Sequence, residues 1–251
     1  MNPAANCLDP DTLTHGHLLG GRVTHAQFRH GHRTGIEPVL LAGAIPARPG
    51  QSVLEAGCGS GAGLLCLATR VAGLTGTGIE IDPTLASIAR ANVVANGLAD
   101  INILDSDLAD FDSAAQFDHA FANPPWHHPD GTASPDVRRE RGKRAGETTF
   151  RDWAHKLARA LRTRGTLTFV VAASVLSDCI TAFEAAGCGS LSLFPLWPRA
   201  GTAAKLVILQ GVRAGRGPTR LLPGLILHES DGSFTTAADA VLRRGEALRF
   251  G

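Results

Sequence analysis

The stretch Gly57-Cys58-Gly59-Ser60-Gly61-Ala62-Gly63 constrains this chain most, because of what flanks it. Before it, Ser52-Val53-Leu54-Glu55-Ala56 reads as a buried strand bounded by turn residues; after it, Leu64 to Val71 reads as a helix. Glycines at a strand-to-helix turn let the backbone approach a ligand closely, and the free amides of the helix start can donate to it. A glycine-rich turn alone is weak evidence. Here Gly76 to Asp82 reads as a second strand, and it carries Glu80 about as far downstream as a carboxylate that accepts ribose hydroxyls should lie. The alternative for Glu80 is a helix N-cap or a surface acid.

The alternation continues. Pro83 to Asn96 places Leu85, Ile88, Ala89, Asn92 and Val93 on one helical face and stops at Asn96-Gly97. Ile101 to Leu104 is a third strand, running into Asp105-Ser106-Asp107-Leu108. A carboxylate at that tip can accept from the exocyclic amine of an adenine. Asp107 is the choice, with Asp105 or helix capping as the alternatives. Phe117 to Phe121 is a fourth strand and delivers Asn123-Pro124-Pro125-Trp126. Beyond it come an amphipathic helix from Phe150 to Leu161, a strand from Thr166 to Ala172, and a helix from Val175 to Ala186. Strands at Leu191 to Leu196 and Lys205 to Val212 follow, and their short joint makes them antiparallel.

The expected fold is therefore α/β: a Rossmann-like open, mostly parallel seven-stranded sheet, its last strand antiparallel, with helices on both faces. The core spans residues 35–212 and opens with a short helix from Gly35 to Ala44. A polar arm or hairpin precedes it at 1–34. An extension at 213–251 packs on it, with a strand candidate at Leu225 to His228 and a short helix near Ala237 to Leu242.

Composition narrows the classes. With 44% apolar and 19% charged residues the chain supports a substantial core, and a net charge of +1 makes any nucleic-acid surface a local one. Cys7, Cys58, Cys66, Cys179 and Cys188 are odd in number and lack CxxC spacing, which argues against a disulfide framework or a zinc ribbon. A reducing cytoplasm is the expected compartment, with no secretory leader and no membrane span. The pairs His15-x-His17 and His30-x-His32 have no carboxylate or Cys partner at ligand spacing, so no metal is expected.

Asn123-Pro124-Pro125-Trp126 suits a planar amine. The lone pair of such an amine is delocalised, so it is a poor nucleophile. The Asn123 side-chain carbonyl and the Pro124 backbone carbonyl can each accept one amine hydrogen, returning electron density to the nitrogen and aiming it. Two prolines remove amide donors and stiffen the loop that holds those acceptors. Trp126 can stack on the target, a contact worth roughly 1–3 kcal/mol for a base. Downstream, Arg138, Arg139, Arg141, Lys143 and Arg144 face only Asp136 and Glu140. Such a run is either a solvated face or a grip on phosphate.

The order Glu55-Ala56-Gly57-Cys58-Gly59-Ser60-Gly61, Glu80, Asp107, Asn123 to Trp126 resembles class I S-adenosylmethionine-dependent methyltransferases. Asn-Pro-Pro-aromatic is the mark of members that methylate a planar nitrogen. Gly35-Ile36-Glu37-Pro38-Val39-Leu40-Leu41, Arg138 to Ala145, Pro195 to Gly201 and Arg216 to Leu225 resemble more specifically the bacterial adenine-N6 methyltransferases of valine tRNA. His127-His128 and the Trp at 126 depart from the commoner pattern of that group. The resemblance implies S-adenosylmethionine as cofactor, with contacts from Thr34, Glu37, Glu55, Gly57, Cys58, Gly59, Gly61, Glu80, Ile81, Asp107, Leu108 and Asn123. It also implies catalysis by Asn123, Pro124 and Trp126 on an adenine N6 of a tRNA partner. The candidate substrate contacts are Phe28, Arg29, Arg33 and the basic run.

Four other readings stand beside this one. A glutamine-N5 protein methyltransferase or an N6-adenine DNA methyltransferase uses the same tetrapeptide logic. An NAD-dependent oxidoreductase fits Gly57-x-Gly59-x-x-Ala62 with Glu80 but leaves Asn123 to Trp126 unexplained. A non-catalytic RNA-binding module would keep the scaffold alone.

Overall fold

A computed structural model describes residues 12–30, 33–112, 116–125 and 150–250. The first described segment is a hairpin of β1 (Leu13–Leu18) and β2 (Val23–Phe28), so of the two expectations for the polar arm the hairpin is the one observed. Helix α1 (Glu37–Ala44) follows, with Pro38 in its first turn where a missing amide costs nothing.

The sheet begins with β3 (Ser52–Ala56), the span read from its flanking turns. Around it lie β4 (Thr75–Glu80), β5 (Ile101–Asp105), β6 (Phe117–Ala122), β7 (Leu161–Ala172), β8 (Cys188–Trp197) and β9 (Leu206–Arg213). The spatial order is β5-β4-β3-β6-β7-β9-β8. All pairings among β3 to β7 are parallel, while β9 runs antiparallel to both neighbours. The last of the seven expected strands is thus the reversed one, and it lies inside the sheet.

Among the described residues the sheet has nine strands, not seven. Two-residue strands β10 (Arg220–Leu221) and β11 (Leu225–Ile226) both pair in parallel with the open edge of β8. Strand β7 starts at Leu161, earlier than Thr166, because helix α4 (Phe150–Ala160) ends one residue before it. The chain then crosses a positive-φ kink at Arg164.

Helices cover both faces. On one, α1, α2 (Ala62–Arg70), α3 (Pro83–Ala95) and α6 (Thr236–Leu242) pack Leu40, Leu41, Leu64, Leu67, Ala89 and Val241 against Val53, Phe121, Val170 and Ile208. On the other, α4 and α5 (Leu176–Ala185) pack Trp153, Leu157 and Phe183 against Leu54, Ala120, Phe169 and Leu209. Successive strand residues enter opposite cores, as the two-residue period of a strand requires. Within the last forty residues, Leu225, Leu227, Ala238, Val241 and Leu242 share the first core, and the Leu248 amide donates to the Gly43 carbonyl at 2.8 Å.

From β3 the chain winds outward through β4 and β5, then returns to the other side of β3 as β6. This reversal is the switch point at which open α/β sheets bind ligands, beyond the carboxyl ends of the strands.

Candidate active site

Register sets the site. Ala56 pairs with Ile79 on one side and Ala122 on the other, and Glu80 pairs with Asp105. The glycine turn, Glu80-Ile81, Asp105 to Leu108 and Asn123 to Pro125 therefore leave one sheet edge from adjacent strands, which lie about 4.8 Å apart.

The turn after β3 is left-handed at Gly57 (φ 63°), Gly59 (φ 56°) and Gly61 (φ 88°). At Gly57 an added Cβ would lie 2.9 Å from the Trp153 ring. At Gly59 it would meet nothing within 4 Å, so that backbone is open on its outer side. Beneath the turn, Glu55 is buried and accepts the Leu64 amide at 2.8 Å, tying β3 to the first turn of α2. Burial pushes its carboxyl up to about 8, against the pull of the Leu64 amide and with help from the Glu80 charge. The same burial, together with Glu55 and Glu80, holds the Cys58 thiol far above its ordinary range, so it stays protonated.

Glu80 is 7% exposed. One carboxylate oxygen accepts the Gly59 amide at 2.8 Å and the other accepts the Asp82 amide at 2.9 Å. Each oxygen keeps a second lone-pair direction for another donor. Burial raises its pKa, opposed by those two amides. The N-cap role belongs to Asp82, whose side chain accepts from the Thr84 and Leu85 amides, and not to Glu80. Ile81, beside Glu80, is 42% exposed and offers apolar surface at the same edge. Asp107 is half-buried and caps its own turn, accepting the Ala109 amide at 2.9 Å through Oδ1; Leu108 next to it is buried.

Asn123 is half-buried, Pro124 buried and Pro125 exposed at the end of β6. Trp126 and the basic residues Arg138, Arg139, Arg141, Lys143 and Arg144 lie outside the described residues, as does His32 of the His30 pair. Among the described residues no group of three or more His, Cys, Asp or Glu is arranged to hold a metal ion, and no helix is long and apolar enough to cross a membrane.

Strand β2 runs antiparallel to α3. The Asn96 side chain bonds both the amide and the carbonyl of Thr24 at 2.9 and 2.7 Å, and Asn92 does the same for Ala26 at 2.8 and 2.9 Å. The strand thereby travels toward the start of α3. Arg29 and Arg33, which follow it, are exposed, and the Arg29 guanidinium donates to the Leu13 carbonyl at 3.3 Å. The Thr34 amide donates to the Gln27 side chain at 2.8 Å, and the Glu37 carboxylate lies over Gly35. Phe28 departs from expectation. Its ring is buried with Ala26 and Ile88, and Leu13 and Leu85 pack on that group, so it fastens the hairpin to α3 instead of facing a substrate.

Sequence reasoning overlooked His25 and Ser60. The ring Nε2 of His25 lies 2.8 Å from Ser60 Oγ in the glycine turn, and both residues are buried. The available signal was Asn92, a polar residue on the apolar face of its helix. Its Nδ2 also donates to the Ser60 carbonyl at 2.9 Å.

Known proteins resemble this chain in three respects. A family model described as "Methyltransferase domain" matches residues 53–140, the stretch from β3 past Asn123. A protein of Yersinia enterocolitica named tRNA1(Val) (adenine(37)-N6)-methyltransferase is 30% identical over 141 residues, covering 53% of this chain and 56% of that one. Its namesake from Yersinia pestis is 32% identical over the same shares. The chain spans about half the length of these curated relatives. Among solved structures, a predicted O-methyltransferase of Agrobacterium tumefaciens superposes with a TM-score of 0.70 at 22% identity, over 85% of this chain and 98% of that one. The chain has an α/β Rossmann-like methyltransferase fold, and the methyltransferase-domain match is confined to residues 53–140.

Proposed function

We propose that this methyltransferase-fold chain transfers the methyl group of S-adenosylmethionine to the exocyclic N6 of an adenine in RNA, with tRNA as the partner. The observation that carries the reading is the pairing of Ala56 with Ala122, which sets the turn at Gly57 to Gly61 directly beside Asn123. A cofactor loop and a two-acceptor amine clamp then share one edge.

The residues present fit the cofactor. Gly59 leaves open space where a side chain would stand, Glu80 keeps two lone-pair directions for ribose hydroxyls, and Ile81 offers an exposed apolar face for the adenine. Asp107 and Leu108 at the neighbouring tip complete that subsite, with Thr34 and Glu37 toward the methionine end. The bound cofactor supplies an electrophilic methyl on a sulfonium. The chain's own task is to hold the target amine in line with it. The Asn123 side-chain oxygen and the Pro124 carbonyl each accept one N–H, so the nitrogen lone pair turns toward the methyl carbon. With the methyl donor bound, Asn123 and Pro124 would hold the amine while the S–C bond is exchanged for the new N–C bond, S-adenosylhomocysteine would be the leaving product, and the extra proton on nitrogen would pass to solvent. No strong general base is needed. The exposed Arg29 and Arg33 are of the residue type that suits phosphate.

Support for tRNA comes from the names of the Yersinia relatives, and support for a planar amine from the tetrapeptide. The test is incubation of the purified chain with tritiated S-adenosylmethionine and, separately, tRNA, double-stranded DNA and a release factor. Label in tRNA, digested to N6-methyladenosine, is the expected result. Label in release factor or DNA alone overturns the substrate, and no label in any pool overturns the activity.

A further inference from the structure

We propose that His25 is a positioning residue of the cofactor site: from β2 it holds Ser60, and through Ser60 the left-handed turn from Cys58 to Gly61 on which the cofactor lies. The proposal rests on the reading of that turn as the cofactor loop.

A glycine turn of this kind is soft. Gly57, Gly59 and Gly61 all occupy positive φ and have wide conformational freedom, so the residues between them must be fixed from outside. Cys58 is fixed by its amide, which donates to the Ile79 carbonyl at 3.0 Å, and by its packing against Gly78. The Gly59 amide is fixed by Glu80. Ser60 has no such anchor within the sheet. Its carbonyl is held by Asn92 of α3 at 2.9 Å and its hydroxyl lies 2.8 Å from the His25 ring. The imidazole is buried and burial lowers its pKa to about 4, so it remains neutral and its hydrogen bond to Ser60 persists through the physiological range.

The hairpin does not depend on His25 for its attachment. Asn92 and Asn96 pair with the backbone of Ala26 and Thr24 on either side of it, and Phe28 packs on Ile88. Loss of the imidazole therefore loosens the turn while the hairpin stays fastened.

The test is S-adenosylmethionine affinity by calorimetry, and methyl transfer at saturating cofactor, for His25→Ala, His25→Gln, Ser60→Ala and Asn96→Ala in the full chain. Removal of a buried hydrogen bond predicts about tenfold weaker binding for His25→Ala, with kcat at saturation within about twofold. Gln places an amide nitrogen near the Nε2 position and should recover most of the affinity. Asn96→Ala loosens the far end of the hairpin and should lower Tm while leaving affinity unchanged. Unchanged cofactor affinity in folded His25→Ala overturns the proposal, as does equal weakening by Asn96→Ala. If His25→Ala does not fold, Ser60→Ala removes the same bond from the loop side and decides the matter by the same criterion. Absence of any binding by the wild-type chain would overturn the cofactor reading and the proposal with it, a result separate from unchanged affinity in a variant.

Discussion

The Glu80 carboxylate accepts the Gly59 amide at 2.8 Å, so the acid at the end of β4 and the turn after β3 are one unit before any ligand arrives. Its other oxygen accepts the Asp82 amide, which leaves the carboxylate oriented with no ion-pair partner among the described residues. Glu80→Gln keeps the shape but has only one acceptor oxygen. It should weaken S-adenosylmethionine binding by at least tenfold, in line with about 1.5–3 kcal/mol for a hydrogen bond to a charged group. Calorimetry on the folded variant checks this, and wild-type affinity would remove Glu80 from the site.

Gly59 and Gly63 should answer differently to alanine. At Gly63 a Cβ would lie 2.3 Å from Glu55 Oε1, so Gly63→Ala must displace a buried carboxylate and should lower Tm clearly. At Gly59 the same Cβ meets nothing, and the cost is the left-handed backbone, about 1–2 kcal/mol. Gly59→Ala should therefore remain folded yet lose cofactor binding, because the methyl occupies the open side of the turn. Thermal melts with and without S-adenosylmethionine separate the two. Stabilisation of Gly59→Ala by the cofactor to the wild-type extent would contradict the cradle.

What the sequence made legible follows from how local each signal is. Strand β3 could be read to the residue because Pro49-Gly50 and Gly57 bound it and its apolar run is buried on both faces. Strand β10 could not, since two residues carry no period and it pairs only because β8 offers an open edge, whereas the candidate at Leu225 to His228 is observed in its first two residues as β11. Phe28 reads as a substrate contact in the sequence since nothing within a polar arm reveals that α3 supplies Ile88 and Leu85 beneath it. The position of Glu80 was legible because it ends a recognisable strand, β4. The His25 link to Ser60 spans thirty-five positions between two segments whose docking depends on Asn92 and Asn96, and no local pattern encodes that distance.

Asn123 stands at the end of β6 with its side chain half-buried, next to the glycine turn but outside its hydrogen-bond network. Asn123→Ala should lower kcat by about 10²–10³, the usual effect of removing one preorganised group that acts on developing charge. Cofactor affinity should stay within about threefold. Single-turnover methylation and calorimetry on the same preparation check both halves. Undiminished turnover would end the two-acceptor mechanism.

The buried ionisable groups also set a pH optimum for stability. Glu55 titrates at about 8 in the folded chain against an ordinary value of 4.5, so between those values the native state holds a proton that the unfolded state has released. Its contribution is fully present below 4.5 and is lost as pH rises through 8. Glu80 is displaced in the same direction. His25 and His119 are pushed down to about 4 from 6.5 by burial, His119 also by the Arg70 charge. There the unfolded state holds the extra proton, and stability rises with pH between 4 and 6.5. Above 6.5 the histidines contribute no further change while Glu55 still does. Tm of the ligand-free chain should therefore peak near pH 6.5 and fall toward pH 8, with a slope of at most about 1.4 kcal/mol per pH unit for each proton. Glu55→Gln should flatten the alkaline limb and steepen the acid limb above pH 4.5, where the Glu55 carboxyl opposes the histidines. Scanning calorimetry at pH 5, 6.5 and 8 on both proteins decides it, and a wild-type Tm that climbs from pH 6.5 to 8 would show that Glu55 is ionised beneath the glycine turn.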